Sequence, residues 1–149
     1  MSSRTRSLAS DVVIRALWLP LTVFLLHVLF SACLGITKKL PGLDILSHFL
    51  GGIAIAFFFS VLADILRERG LISHLDRVVR QVLIFALTAT AAVFWEFAEF
   101  VLDTYLGTHI QIDLQDTMSD IGFGILGGLA FICIVAAVRR GSGRGYDGA

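Results

Sequence analysis

The chain has 149 residues, of which 56% are hydrophobic, and its mean hydropathy is +0.84. A soluble domain contains about 45–50% apolar residues, so this composition favours an integral membrane protein. Twelve basic and twelve acidic residues give a formal net charge of zero. With no excess of positive charge, we expect no nucleic-acid partner.

The apolar residues are concentrated in four blocks, each close to the roughly 20 residues that a helix needs to span a bilayer. The runs are continuous rather than alternating, which favours helices over the strands of a barrel. We therefore predict an all-α integral membrane four-helix bundle over residues 11–140, with the lipid bilayer as its partner. Residues 1–10 and 141–149 are predicted to be disordered cytoplasmic ends. The blocks are Ala16–Ile36, Ile45–Leu66, Val82–Leu106 and Ile121–Val138.

The basic residues are divided unevenly between the two ends of the predicted bundle. Ten of the twelve precede helix one, lie in the second loop or follow helix four, whereas Lys38 and Lys39 lie in the first loop. The positive-inside rule then predicts a multi-pass protein of the bacterial plasma (inner) membrane with both termini in the cytoplasm. The string "LFSAC" loosely resembles a lipoprotein cleavage site, so retention of helix one and its removal before Cys33 both stay open.

A shift of the sequence by 72 residues aligns helix one with helix three and helix two with helix four. The shared string D-x-x-S-[HD]-x-x-x-G-I begins both even-numbered helices, and it pairs His48 with Asp120 and Gly52 with Gly124. Such a repeat predicts two helical hairpins of the same orientation, related by an axis along the membrane normal. Small residues in helices two and four would allow close helix contact.

The stretch from Trp95 to Asp120 carries six carboxylates and no lysine or arginine. Spacings of three and four residues place such side chains on one face of a helix. With 1.5 Å of rise per residue, we expect His48, Glu99 and Asp120 at one depth, with Glu96 and His27 deeper. The acids and imidazoles of the four helices are His27; Asp44 and His48; Glu96, Glu99 and Asp103; and Asp113, Asp116 and Asp120.

Several unpaired carboxylates within a bilayer would be costly, because each charged group costs about 2.5–3.5 kcal/mol on insertion scales. A bound cation, protonation or a water-filled vestibule could each remove this cost. Carboxylates with histidines are typical ligands of a divalent metal of the Zn, Mn or Fe class. We predict a divalent metal cofactor held by residues drawn from His48, Glu99, Asp116, Asp120, Asp44 and His27, with Glu96 as catalytic general base.

Three of these residues have a second interpretation. Asp44 and Asp116 could cap the N-termini of helices two and four, where a carboxylate accepts backbone N–H bonds. His27 could be a hydrogen-bonded packing residue. Asp103 and Asp113 are expected at the interface, in contact with solvent.

Three motifs, "LDILSHFLGGI", "WEFAEF" and "QDTMSDIGFGILGG", cover Asp44–Ile53, Trp95–Phe100 and Gln115–Gly128. With these motifs the chain resembles the YjdF-like family of small bacterial inner-membrane proteins and, more distantly, the VanZ-like group. The resemblance implies that one site contains Asp44, His48, Glu96, Glu99, Asp116 and Asp120. It does not assign a chemistry to that site.

Three functions stay open from the sequence. The first is a metal-dependent enzyme acting on a lipid-linked or envelope substrate at the outer face. The second is a cation- or proton-coupled transporter or sensor, which would require a homo-oligomer because one four-helix chain makes a narrow path. The third is a non-enzymatic envelope-assembly protein in which the polar cluster stabilises the bundle.

Overall fold

The computed structural model describes residues 6–30 and 40–143. Within these ranges the chain is helical, without strands, and four helices are long and apolar enough to cross a membrane. They are α1, Leu8–Val28; α2, Pro41–Glu68; α3, Arg77–Leu106; and α4, Leu114–Gly143. The predicted all-α four-helix fold is confirmed. Cys33, Lys38 and Lys39 lie outside the described residues, and so does the position before Cys33 at which cleavage was left open.

Helix α1 is composed of two α-helical segments, Leu8–Asp11 and Trp18–Val28, joined by a π-helical segment, Val12–Leu17. Ser7 caps its start by accepting a hydrogen bond from the backbone N–H of Ser10. Most of its large apolar side chains are exposed, as expected of a helix that faces lipid.

Helix α3 has a defined signal at each end. Asp76 caps its start by accepting from the backbone N–H groups of Val78 and Val79, and these bonds lower the pKa of the Asp76 carboxyl. At the other end Gly107 adopts a left-handed conformation, with φ of 64°, and its N–H donates to the carbonyl of Asp103. Glycine reaches this conformation without a Cβ clash, so the helix ends there.

Helices α2 and α4 run parallel and their backbones are in direct contact. A Cβ added at Gly52 would lie 1.9 Å from the carbonyl oxygen of Gly124, and one at Gly127 would lie 2.0 Å from that of Phe49. The 72-residue shift aligns Gly52 with Gly124, so the two matched glycines face each other across this contact. Small residues therefore bring the two central helices together, as the sequence predicted.

The two ends of the bundle differ in charge. At one end, which we call the basic end, ion pairs join α1 to the C-terminal part of α2 and join α2 to α3. These pairs are Arg15–Glu68, Arg69–Asp11 and Arg80–Asp64. The opposite end, which we call the acidic end, contains the start of α2, the end of α3 and the start of α4, together with their carboxylates.

Candidate functional site

His48 lies at the centre of the carboxylates of the acidic end. Its Nε2 atom is 3.8 Å from Asp44 Oδ1 and 3.8 Å from Asp120 Oδ2, while its Nδ1 atom is 3.6 Å from Glu96 Oε1. The two ring nitrogens of one imidazole thus face different acids. Asp120 and Glu96 are buried, with 4% of each residue exposed.

We call Asp44, His48 and Asp120 the triad, because one donor atom from each lies within 4.8 Å of those of the other two. Asp44 and His48 are one turn apart on α2, and Asp120 comes from α4. One turn further into the bundle, Gly52 and Gly124 hold the two helices in contact. The glycine contact therefore sets how closely His48 and Asp120 can approach.

Glu96 is held at the triad by the loop that joins α3 to α4. Gln111 donates from Nε2 to both the backbone carbonyl and Oε2 of Glu96, at 3.0 and 3.1 Å. The other carboxylate oxygen, Oε1, is buried and has no hydrogen-bond partner in the described structure. It is the oxygen that faces His48 Nδ1. A buried acceptor left without a donor is rare in folded proteins.

His27 and Trp95 form a second layer beside the triad. The His27 Nδ1 atom is 2.9 Å from the Ser47 hydroxyl, which donates to the carbonyl of Asp44. The His27 ring contacts the rings of His48 and Trp95 edge to face, at centroid separations of 5.8 and 5.6 Å. His27 therefore lies next to the triad, and its described hydrogen bond is made to the serine.

Glu99 is buried one turn beyond Glu96, and its Oε1 accepts a 2.8 Å hydrogen bond from the indole N–H of Trp95. The sequence-based expectation placed Glu99 at the level of His48 and Glu96 deeper. In the structure it is Glu96 that contacts His48. The difference arises because residue spacing along one helix does not fix its depth relative to a neighbouring helix.

The remaining carboxylates of the acidic end accept hydrogen bonds from backbone N–H groups. Asp116 Oδ2 accepts from the N–H of Ile112, and Asp113 Oδ1 accepts from the N–H of Asp116, so this pair caps the start of α4. Asp103 accepts from the Thr108 hydroxyl and from the backbone N–H groups of Ile110 and Gln111. Of the two acids with a possible capping role, Asp116 makes a capping bond and Asp44 faces His48.

The sequence reasoning did not single out Gln111 or connect Trp95 with the site. Both act by hydrogen bonds across the fold, Gln111 to Glu96 and Trp95 to Glu99. The contact of Trp95 with Glu99 could have been predicted, because a tryptophan four residues before a glutamate lies on the same face of a helix. No spacing rule could have found Gln111, because its position depends on the path of the loop.

An apolar cavity of about 140 Å³ lies between α1, α2 and α3 and ends at the site. It runs along α2 from Ile55 to Ser47, about 12 Å at 1.5 Å per residue. Its inner part is lined by Pro20, Ile55 and Thr88, and its polar end by His27, His48 and Trp95. The cavity therefore connects the apolar interior of the bundle to the imidazoles.

Comparisons with known proteins extend over most of the chain. A family described as "Predicted membrane protein (DUF2238)" matches residues 12–141. A protein of Thermotoga maritima, described as an uncharacterized protein, is 35% identical over 127 residues. The alignment covers 84% of this chain and 63% of that relative, so this chain spans less than two thirds of its length. No solved structure matches.

Proposed function

The chain belongs to the family described as Predicted membrane protein (DUF2238). We propose that this membrane protein binds one divalent metal ion at the triad. The observation that carries the proposal is the convergence of Asp44, His48 and Asp120, with donor atoms within 4.8 Å, beside a buried and unpartnered Glu96 oxygen. The ion is of the Zn, Mn or Fe class, since these metals accept imidazole and carboxylate ligands together.

Charge supports a cation at this position. Three carboxylates face His48, so even a protonated imidazole would leave an excess of negative charge in a buried site. No lysine or arginine lies between Trp95 and Asp120 to offset it. A divalent cation offsets the charge and supplies the ligand bonds that buried carboxylates require.

The donor separations are close to those of a metal site. Ligand bonds of about 2.0–2.1 Å in a tetrahedral arrangement place donor atoms about 3.3 Å apart. The two His48 Nε2 contacts are 3.8 Å and all donor atoms lie within 4.8 Å of one another, so these separations would have to shorten by about 0.5 to 1.5 Å to complete such a site. Side-chain rotations of Asp44 and Asp120 are sufficient for shifts of this size.

The two nitrogens of His48 would then have different tasks. With Nε2 directed to the metal, the Nδ1–H group would point toward Glu96 Oε1, which lies 3.6 Å away, and a closer approach would complete the hydrogen bonding of that oxygen. A carboxylate behind a ligating imidazole fixes its tautomer and orientation. This placement favours an orienting role for Glu96 over the general-base role expected from the sequence.

The shape of the site supports a lipid-linked or envelope substrate. A bound metal would supply Lewis-acid activation of water or of a substrate oxygen. The apolar cavity would hold an alkyl or prenyl chain, and His27 with Trp95 would contact the polar group where the chain meets the site. We assign the protein to a metal-dependent reaction on such a substrate. The resemblance to YjdF-like proteins supports the grouping of residues, and the likeness to VanZ-like proteins stays a sequence-based prediction.

The charge distribution supports the orientation proposed from the sequence. Arg67, Arg69, Arg77 and Arg80 all belong to the basic end, as does Arg139. The positive-inside rule places this end in the cytoplasm of a bacterial plasma membrane, so that the triad opens to the outer face. Reporter fusions at the two termini test this orientation directly.

Metal content tests the proposed function. Protein purified in detergent and equilibrated with Zn²⁺, Mn²⁺ or Fe²⁺ is expected to retain one ion per chain by elemental analysis. Asp120→Asn is expected to lower affinity at least tenfold, because mutations in and around metal sites typically cost 10- to 100-fold. Asp76→Asn is the matched control, since it removes a carboxylate at the opposite end of the bundle and asparagine can still cap the start of α3. Equal metal content in both variants contradicts the proposal.

Cation transport is the second candidate, and one observation favours it. A wider, more open cavity of about 430 Å³ is lined by Glu96, Gln111 and Asp113 together with mostly apolar residues such as Phe97 and Phe100, and its polar residues would give cations a route to the site. The backbone contact of α2 and α4 at Gly52 and Gly124 closes the passage between these two helices. Flux of Zn²⁺ or protons into proteoliposomes, lost in Asp120→Asn, would select transport over catalysis.

A further inference from the structure

A polar cavity, separate from the two described above, lies at the basic end of the bundle, far from the triad. It has a volume of about 140 Å³ and is enclosed by α2, α3 and α4. Its polar lining includes the arginines Arg77, Arg80 and Arg139. Its apolar lining, which includes Phe131 and Ile132, extends along α4 toward the middle of the bundle.

The three arginines are not equivalent. Arg80 is anchored, because its Nη2 atom donates to the carbonyl and hydroxyl of Ser60 and to Asp64 Oδ2 at 2.8 to 3.0 Å. The side chains of Arg77 and Arg139 make no ion pair or hydrogen bond with any residue in the described ranges. Asp64 pairs with Arg80, and the described lining of the cavity contains three arginines and no acid, so the cavity has an excess of positive charge.

This combination fits one class of ligand. Guanidinium groups bind phosphate oxygens in a bidentate manner, and an excess of cations around a cavity favours an anion as its ligand. Arg77 begins α3 and Arg139 lies near the end of α4, so both are at the level where a bilayer places its headgroups. The apolar surface of Phe131 and Ile132 continues from that level into the membrane, which a free phosphate ion would not need.

We propose that this cavity binds an anionic phospholipid, with its phosphodiester at Arg77 and Arg139 and the first part of an acyl chain along α4. Arg80, fixed by Ser60 and Asp64, presents the third positive charge at the base of the headgroup site. The lipid would join α2, α3 and α4 at the end of the bundle opposite the triad. This site is independent of the metal site, so either can fail without the other.

Native mass spectrometry of the full-length protein, released from mixed micelles, tests the proposal. Micelles would contain equal amounts of phosphatidylglycerol and phosphatidylethanolamine, and one phosphatidylglycerol is expected to stay bound. Arg139→Ala is expected to lower phosphatidylglycerol binding about tenfold, the contribution of a hydrogen bond between charged groups in a specific site. Arg67→Ala is the matched control, because the 72-residue shift aligns Arg67 with Arg139 and Arg67 does not line the cavity.

Three results would overturn the proposal. Equal losses of phosphatidylglycerol binding in Arg139→Ala and Arg67→Ala would indicate that the general positive charge of the surface attracts the lipid. Equal retention of phosphatidylethanolamine would show that the anionic charge is not recognised. Displacement of the lipid by millimolar inorganic phosphate would identify a free-phosphate site. Thermal unfolding in lipid-free detergent checks folding, and both variants are expected to match the wild type because neither arginine packs in the core.

Discussion

Replacement of Gly52 by alanine tests whether the contact of α2 with α4 holds the site together. The new Cβ would lie 1.9 Å from the Gly124 oxygen, 2.8 Å from its carbonyl carbon and 3.0 Å from the Gly128 nitrogen. Ordinary contact begins at 3.4 Å, so the helices must separate by 3.4 − 1.9 = 1.5 Å. All three atoms belong to the backbone, so no side-chain rotation relieves the clash.

The expected cost has two opposing parts. Overpacking of this kind costs about 1–3 kcal/mol, while alanine in a helix gains about 0.5–1 kcal/mol over glycine. We therefore expect Gly52→Ala to lower the free energy of unfolding by about 1–2 kcal/mol. His48 and Asp120 lie one turn away, so their 3.8 Å separation should also increase and metal affinity should fall.

Gly51→Ala is the matched control for this experiment. Gly51 is the neighbouring residue on α2, and a Cβ there would meet nothing within 4 Å. The Gly51→Ala variant should be as stable as the wild type or slightly more stable, and it should keep the metal affinity of the wild type. Denaturant unfolding in detergent and metal titration measure both properties. If Gly52→Ala and Gly51→Ala behave alike, the α2–α4 contact does not have the proposed role.

Other residues give predictions of their own. Trp95→Phe removes the donor to buried Glu99 and should destabilise the protein by about 1–3 kcal/mol in denaturant unfolding, whereas Trp18→Phe should have a smaller effect. Asp103→Ala removes three hydrogen bonds of the α3–α4 loop, so amide exchange of residues 107–113 should become faster while α1 is unchanged. Asp76 has a lowered pKa, so its capping contribution is present above its ordinary value of 3.8 and is lost as pH falls through the lower folded value. Wild type should therefore lose its stability advantage over Asp76→Ala as acid is added, and a constant difference at low pH would contradict this assignment.

The fold was predictable because its main determinants are local and additive. Four apolar blocks of spanning length are enough to predict four helices, whatever their packing. Helix ends depend on polar residues outside the apolar blocks. Helix α4 begins at Leu114, about two turns ahead of the apolar block that starts at Ile121, because Asp113 and Asp116 cap this polar segment.

The candidate site was predictable only in part. Spacing identified the helix faces, and three of the expected residues, Asp44, His48 and Asp120, do come together. Spacing does not fix the rotation and depth of one helix relative to another. Glu96 therefore reaches His48 where Glu99 was expected, and Glu99 binds Trp95. Gln111 depends on a loop path that no periodicity describes.

The coordination of a bound ion tests the central claim most directly. Pulsed EPR of Mn²⁺ bound to the purified protein detects nitrogen ligands, and labelling histidine with ¹⁵N assigns them to imidazole. We expect one imidazole nitrogen, which is lost in His48→Gln and kept in His74→Gln, a variant at the basic end of the bundle. A Mn²⁺ signal with oxygen ligands only, or one that survives in His48→Gln, would contradict the assignment of the triad as a metal site.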